Sequence, residues 1–69
     1  MTVWECMEML GRHEKVRISD GQKELTAEPI SAYEYEMYAD ELPREVFEAI
    51  LEKTAKSIDL DRMMIYCER

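Results

Sequence analysis

Chemistry needs a nucleophile, a base or a cradle of ligands, and each of these is thin along the 69 residues. His13 is the sole histidine. The serines and threonines stand outside any nucleophile motif, so no nucleophile–base pair assembles from local spacing. Gly11 and Gly21 are the only glycines and build no phosphate-cradling loop. Placed just after Gly11, His13 reads as a loop residue. Cys6 and Cys67 lie near opposite ends of the chain with neither C-x-x-C spacing nor a zinc pattern, and read as free, partly buried thiols. If the first helix packs on the last strand the two meet as packing partners, not as a disulfide in a reducing cytosol. Asp59-x-Asp61 offers two carboxylates, too few oxygen ligands for a dedicated calcium site, and reads as a solvated turn. The expectation is a non-enzymatic protein with no catalytic residue, metal or cofactor.

Charge carries more information. From Glu24 to Glu52 there are nine acidic residues and one basic one, Arg44, a net of −8. The rest of the chain holds seven acidic and eight basic residues, so the whole charge of −7 belongs to this segment. On a helix Glu41, Glu45, Glu48 and Glu52 fall at i, i+4, i+7 and i+11, one stripe opposite Phe47, Ile50 and Leu51. Like charges at such spacing each cost a few tenths of a kcal/mol, with no i+4 lysine until Lys56 follows Glu52. An acidic face also keeps a small protein soluble. A purely solubilising face would intersperse lysine, however, and the lysines stand elsewhere in the chain. Successive carboxylates about 5–6 Å apart are comparable to the phosphate spacing of a nucleic-acid strand, so the stripe suits a positively charged groove.

Tyr33, Tyr35 and Tyr38 precede the stripe, among Glu34, Glu36 and Asp40. An extended Tyr33–Met37 puts Tyr33, Tyr35 and Met37 on one face and Glu34 and Glu36 on the other. A helical one, with Ser31 and Glu34 as a capping box, aligns Tyr35, Tyr38 and Leu42. In both cases tyrosine lies beside carboxylate, a combination that pairs with and stacks on arginine. At least one of the three tyrosines is expected to fill core. The candidate partner-binding residues are therefore Tyr33, Glu34, Tyr35, Glu36, Tyr38, Asp40, Glu41, Glu45, Glu48 and Glu52.

Several elements must position them. Thr2 and Glu5 form a capping box, and Val3, Cys6, Met7 and Leu10 recur with helical spacing before Gly11 offers a C-cap. Trp4, at the edge of that apolar stripe, either closes the core or remains half exposed as a contact. Lys15–Ser19 alternates polar and apolar ahead of Asp20-Gly21, which predicts a strand, a two-residue turn and a returning strand to about Leu25, stopped by Pro29. Pro43 suits the first position of a second helix, whose face is Val46, Phe47, Ile50, Leu51 and Ala55. Residues 54–60 fit helix or strand; Lys53 and Lys56 favour a helix end near Lys56. Met63–Cys67 is a strand apolar enough to be central. Together these give an α+β fold in a single domain spanning residues 1–69. A small antiparallel sheet, made of a β-hairpin and the C-terminal strand, is packed by an N-terminal helix and a second, acidic amphipathic helix.

So short a chain buries only about 60% of its unfolded surface, which leaves little room for a catalytic cleft. Apolar residues at 46% and charged ones at 36% describe a folded chain, not a disordered one. No apolar run is long enough to span a bilayer, and the first residues lack the basic-then-apolar layout of a signal peptide. The expected location is the cytoplasm, with no membrane partner.

The layout T-V-x-E-x-x-E-x-L-G at Thr2–Gly11, V-x-I-x-D-G at Val16–Gly21 and K-S-I at Lys56–Ile58 before an apolar last strand resembles small proteins encoded in phages and prophages of gut Firmicutes. Short acidic proteins of that setting often act by binding host machinery, anti-CRISPR proteins being one such class. The acidic segment points to a basic, nucleic-acid-handling protein as partner, and the resemblance implies that this is a host defence nuclease inhibited by occupation of its groove. Direct nucleic-acid binding is disfavoured, since only Arg12, Lys15 and Arg17 approach a basic patch on a chain of charge −7. The alternative expectation is a homo-oligomer, such as a homodimer, built through the methionines and Trp4.

Overall fold

The computed structural model describes residues 1–37 and 44–69, without the side chains of Arg44 and Val46. Along the chain run helix α1 (Val3–Leu10), strand β1 (Arg17–Ser19), helix α2 (Ala32–Met37), helix α3 (Arg44–Leu51), strand β2 (Ala55–Asp59) and strand β3 (Met64–Cys67). The fold is α+β, as the sequence predicts. Helix α1 starts with the expected capping box: the Glu5 backbone N–H donates to the Thr2 hydroxyl at 3.2 Å, and the Thr2 N–H donates to the Glu5 carboxylate at 3.0 Å. It ends at Gly11, whose φ of +129° lies where a side chain is strained.

The sheet order is β1-β3-β2, with β3 central. β2 pairs with β3 antiparallel, but β1 pairs with β3 in parallel, so the sheet is mixed and not wholly antiparallel. The chain does reverse after β1, one residue later than Asp20-Gly21: the Asp20 N–H donates to the Lys23 carbonyl at 3.2 Å across Gly21 and Gln22. The Asp20 carboxylate accepts the N–H groups of Gln22 and Lys23 at 2.9 and 3.0 Å, and the Ser19 hydroxyl donates to the Lys23 carbonyl at 2.9 Å. Side chains thus take part of the bonding that a regular hairpin ladder would use. The returning residues make only isolated contacts with the outer edge of β1: the Ser19–Glu24 bridge, Leu25 N–H to the Ile18 carbonyl, Ile18 N–H to the Thr26 hydroxyl, and the reciprocal Val16–Ile30 pair. That cover leaves the other edge of β1 to β3.

Ile18, Ile65 and Ile58 face one another across the three strands, and Cys67 lies two residues beyond Ile65 on the same face. Val3, Cys6 and Met7 of α1 join Ile18, Ile65 and Cys67 in one buried cluster, with Ile50 and Leu51 of α3 and Ala32 of α2. Helix α1 is the hub, touching α2, α3 and β3. Both cysteines are free and buried, and burial raises both thiol pKa values.

Two boundaries move from their expected places. Helix α3 ends at Leu51, not near Lys56, and 55–59 is strand. Helical bonding stops with Glu52 N–H to the Glu48 carbonyl and Lys53 N–H to the Ile50 carbonyl, and backbone groups of Lys53 and Ala55 then turn to the start of the chain. Val3 N–H donates to the Lys53 carbonyl, and Ala55 N–H to the Met1 carbonyl. Residues 32–37, whose conformation the sequence leaves open, are helical, with the Ser31 hydroxyl accepting the Glu34 N–H at 3.1 Å. The turn into β3 is closed by the Asp59 carboxylate, which accepts from the backbones of Asp61 and Arg62, and by Met63 at φ +50°. This is the solvated turn expected of Asp59-x-Asp61, and no cluster of metal-ligating side chains occurs among the described residues.

Candidate interaction surface

The acidic segment divides into two environments. On α2, Glu36 accepts from both terminal guanidinium nitrogens of Arg12, Nη1 and Nη2, and Glu34 lies 3.6 Å from Lys15. Ahead of α2, Glu24 lies 3.3 Å from Arg17. The loop following α1 therefore brings Arg12 and Lys15 to the two α2 carboxylates, and the start of β1 brings Arg17 to Glu24. The expectation that lysine and arginine stand apart from the acids holds along the chain and fails in space. These pairs are largely exposed, Arg12 at 52% and Glu36 at 38%, so each contributes at most about 1 kcal/mol to stability. Their larger effect is to cancel the local field.

Helix α3 differs. Glu45, Glu48 and Glu52 are exposed, while Ile50 and Leu51 are buried. Among the described residues neither Glu45 nor Glu52 takes part in an ion pair. No basic residue occupies the last turn, so the helix's negative end adds to the carboxylates. Tyr38, Asp40 and Glu41 lie outside the described residues.

The tyrosines divide in the same way. Tyr35 is half-buried, its ring 5.6 Å from Trp4 at an interplanar angle of 62° and 6.0 Å from Phe47. It ties α2 to α1 and α3, filling the core role expected of at least one tyrosine. Tyr33 is 39% exposed and stacks at 4.7 Å on His13, which sits in the turn after Gly11. Tyr33 N–H donates to the Arg12 carbonyl, fixing the loop that carries Arg12 and Lys15 against α2.

Where α1 begins and α3 ends, an open surface groove of about 400 Å³ is lined by Thr2, Trp4, Tyr35, Leu51, Glu48 and Glu52. It is too open to enclose a small molecule on most sides, which is what buries a reacting substrate. Three of its residues, Thr2, Trp4 and Leu51, were not on the predicted interaction surface. The sequence offers Trp4 as core closure or as a half-exposed contact, but not its place beside α3, because the pairing of Met1–Val3 with Lys53–Ala55 that sets it there is non-local. The Thr2–Glu5 box, visible in the sequence, fixes the start of α1 and hence the Trp4 side of the groove. Thr2 donating to Glu5 also holds the Glu5 carboxyl below its ordinary pKa.

No protein-family model, curated protein or solved structure matches this chain. Among the described residues, no helix is long and apolar enough to cross a membrane.

Proposed function

We propose that this is a non-enzymatic binding protein that engages a basic protein partner through the exposed carboxylates of α3. One observation carries the reading. Once Arg12, Lys15 and Arg17 are paired with Glu36, Glu34 and Glu24, the exposed carboxylates outside any ion pair among the described residues of the segment are Glu28 and, on and just beyond α3, Glu45 and Glu52, with the exposed Glu48 between these two. A surface of this sign steers a cationic partner toward itself, at rates that fall with salt. The resemblance to phage and prophage proteins gives the partner a finer identity, a nucleic-acid-handling effector of host defence in the cytoplasm. In that reading the α3 carboxylates act as phosphate mimics for the groove's arginines and lysines, as an anti-CRISPR inhibitor does.

The test is charge reversal. Glu45→Lys, Glu48→Lys and Glu52→Lys together abolish association with a partner isolated by affinity purification, with the circular dichroism spectrum unchanged; full retention of binding sinks the reading. A second reading has its own observation, the exposure of Met9 at 62%, Met37 at 60% and Leu60 at 64%. These favour self-association, which sedimentation reads as a dimer insensitive to salt.

A further inference from the structure

We infer that the groove between the start of α1 and the end of α3 receives an arginine side chain of the partner, in preference to lysine. The inference rests on the proposed engagement of a basic protein and names the group that would be read. The groove combines two things that a merely acidic surface lacks. Its aromatic side is Trp4 and Tyr35, held edge to face at 5.6 Å and backed by Leu51. Its polar side carries Glu52 and Glu48, with the Thr2 hydroxyl at the start of α1.

A guanidinium fits this pairing for three reasons. It is planar and weakly hydrated, so its face can lie on an indole or phenol ring. Its forked N–H groups meet a carboxylate two at a time. Its methylene stem covers apolar surface such as Leu51 while the charged end reaches the rim. An ammonium gains the charge attraction but keeps its water, and has no flat face to stack. The aromatic pair is already fixed by tertiary contacts, since Tyr35 also packs on Phe47, so docking orders few additional protein groups. The carbonyl end of α3, which has no basic residue in its last turn, deepens the negative potential at the same place.

The sole tryptophan makes the test direct. Oligo-arginine and oligo-lysine peptides of equal length are titrated into the protein at low salt, followed by Trp4 fluorescence and by amide shifts of Leu51, Glu52 and Glu45. The expected result is about fivefold or greater preference for oligo-arginine. Only that peptide should move the Trp4 indole signal. Glu52→Gln should weaken oligo-arginine severalfold. Trp4→Leu, read at the Leu51 and Glu52 amides, should erase the preference while leaving charge-driven binding of both peptides. Equal affinities, with shifts along α3 but none at Trp4, overturn the groove and leave the acidic-surface reading standing. An arginine preference that survives Trp4→Leu also overturns the groove. Absence of any shift along α3 with either peptide overturns both.

Discussion

Helices α2 and α3 each carry two glutamates together with aromatic side chains, Tyr33 and Tyr35 on α2 and Phe47 on α3, yet α2 is knitted into the molecule and α3 turns its glutamates outward. Glu34 and Glu36 of α2 meet Lys15 and Arg12, and Tyr35 closes on Trp4 and Phe47. Glu45, Glu48 and Glu52 face solvent along and just beyond α3, whose apolar face supplies Ile50 and Leu51 to the core. The difference comes from the loop after α1, which delivers cations to α2. A segment that is acidic throughout in sequence thus shows, among the described residues, two environments: Glu34 and Glu36 beside cations, and Glu45 and Glu52 exposed outside any ion pair.

The contrast can be broken in graded steps. Reversing the three α3 glutamates should cost partner affinity 100-fold or more, because close charge pairs across an interface couple by well over 1 kcal/mol each. Reversing Glu34 and Glu36 should leave affinity within severalfold, as measured by calorimetry on both variants. If the two reversals weaken binding equally, the distinction between the helices fails. Tyr35→Ala should destabilise by about 2–3 kcal/mol, since it removes a half-buried ring that bridges two others, whereas Tyr33→Ala should stay within about 0.5 kcal/mol; urea unfolding reads both. Arg12→Gln should cost less than about 1 kcal/mol, and the swap Arg12→Glu with Glu36→Arg should recover most of it.

Acid should produce the smallest effect. The Asp20 carboxyl is held below its ordinary pKa by the backbone N–H groups of Lys23 and Gln22, and that of Glu5 by the Thr2 N–H and then its hydroxyl. A depressed folded pKa gives stabilisation that is complete above the unfolded value and lost as pH falls through the folded one. The melting temperature should therefore begin to drop below about pH 4, and Asp20→Asn should flatten that limb. An acid limb identical in the variant removes Asp20 from the account.

What the sequence made legible follows contact range. The α1 capping box and the burial of Val3, Cys6 and Met7 depend on residues three or four apart and were readable directly. β3 was readable as central because Met64 and Ile65 are apolar on both faces. The parallel pairing of β1 was not readable, because it joins Arg17–Ser19 to Met64–Tyr66, far along the chain, while the local signal at Asp20-Gly21 reports only the returning residues on the other edge of β1. Residues 54–60 were ambiguous since Ile58 fits both periods, and antiparallel pairing with β3, preceded by the bonds of Lys53 and Ala55 to Val3 and Met1, makes 55–59 a strand. The candidate surface divided along the same line. The outward face of α3 came from helical spacing, while the neutralisation of Glu34 and Glu36 by residues more than fifteen positions away left no local trace.

The two buried thiols give this chain a built-in stability gauge. Cys6 sits on α1 and Cys67 on β3, both in the central cluster and both disfavoured as thiolates by burial. A thiol reagent must wait for each element to open before it can react. Equal labelling rates for the two sites would describe one cooperative opening of helix and sheet, and a faster Cys6 would describe a hub that lifts from an intact sheet. Either result measures how tightly α1 holds the groove in place, on the natural side chains of the native chain.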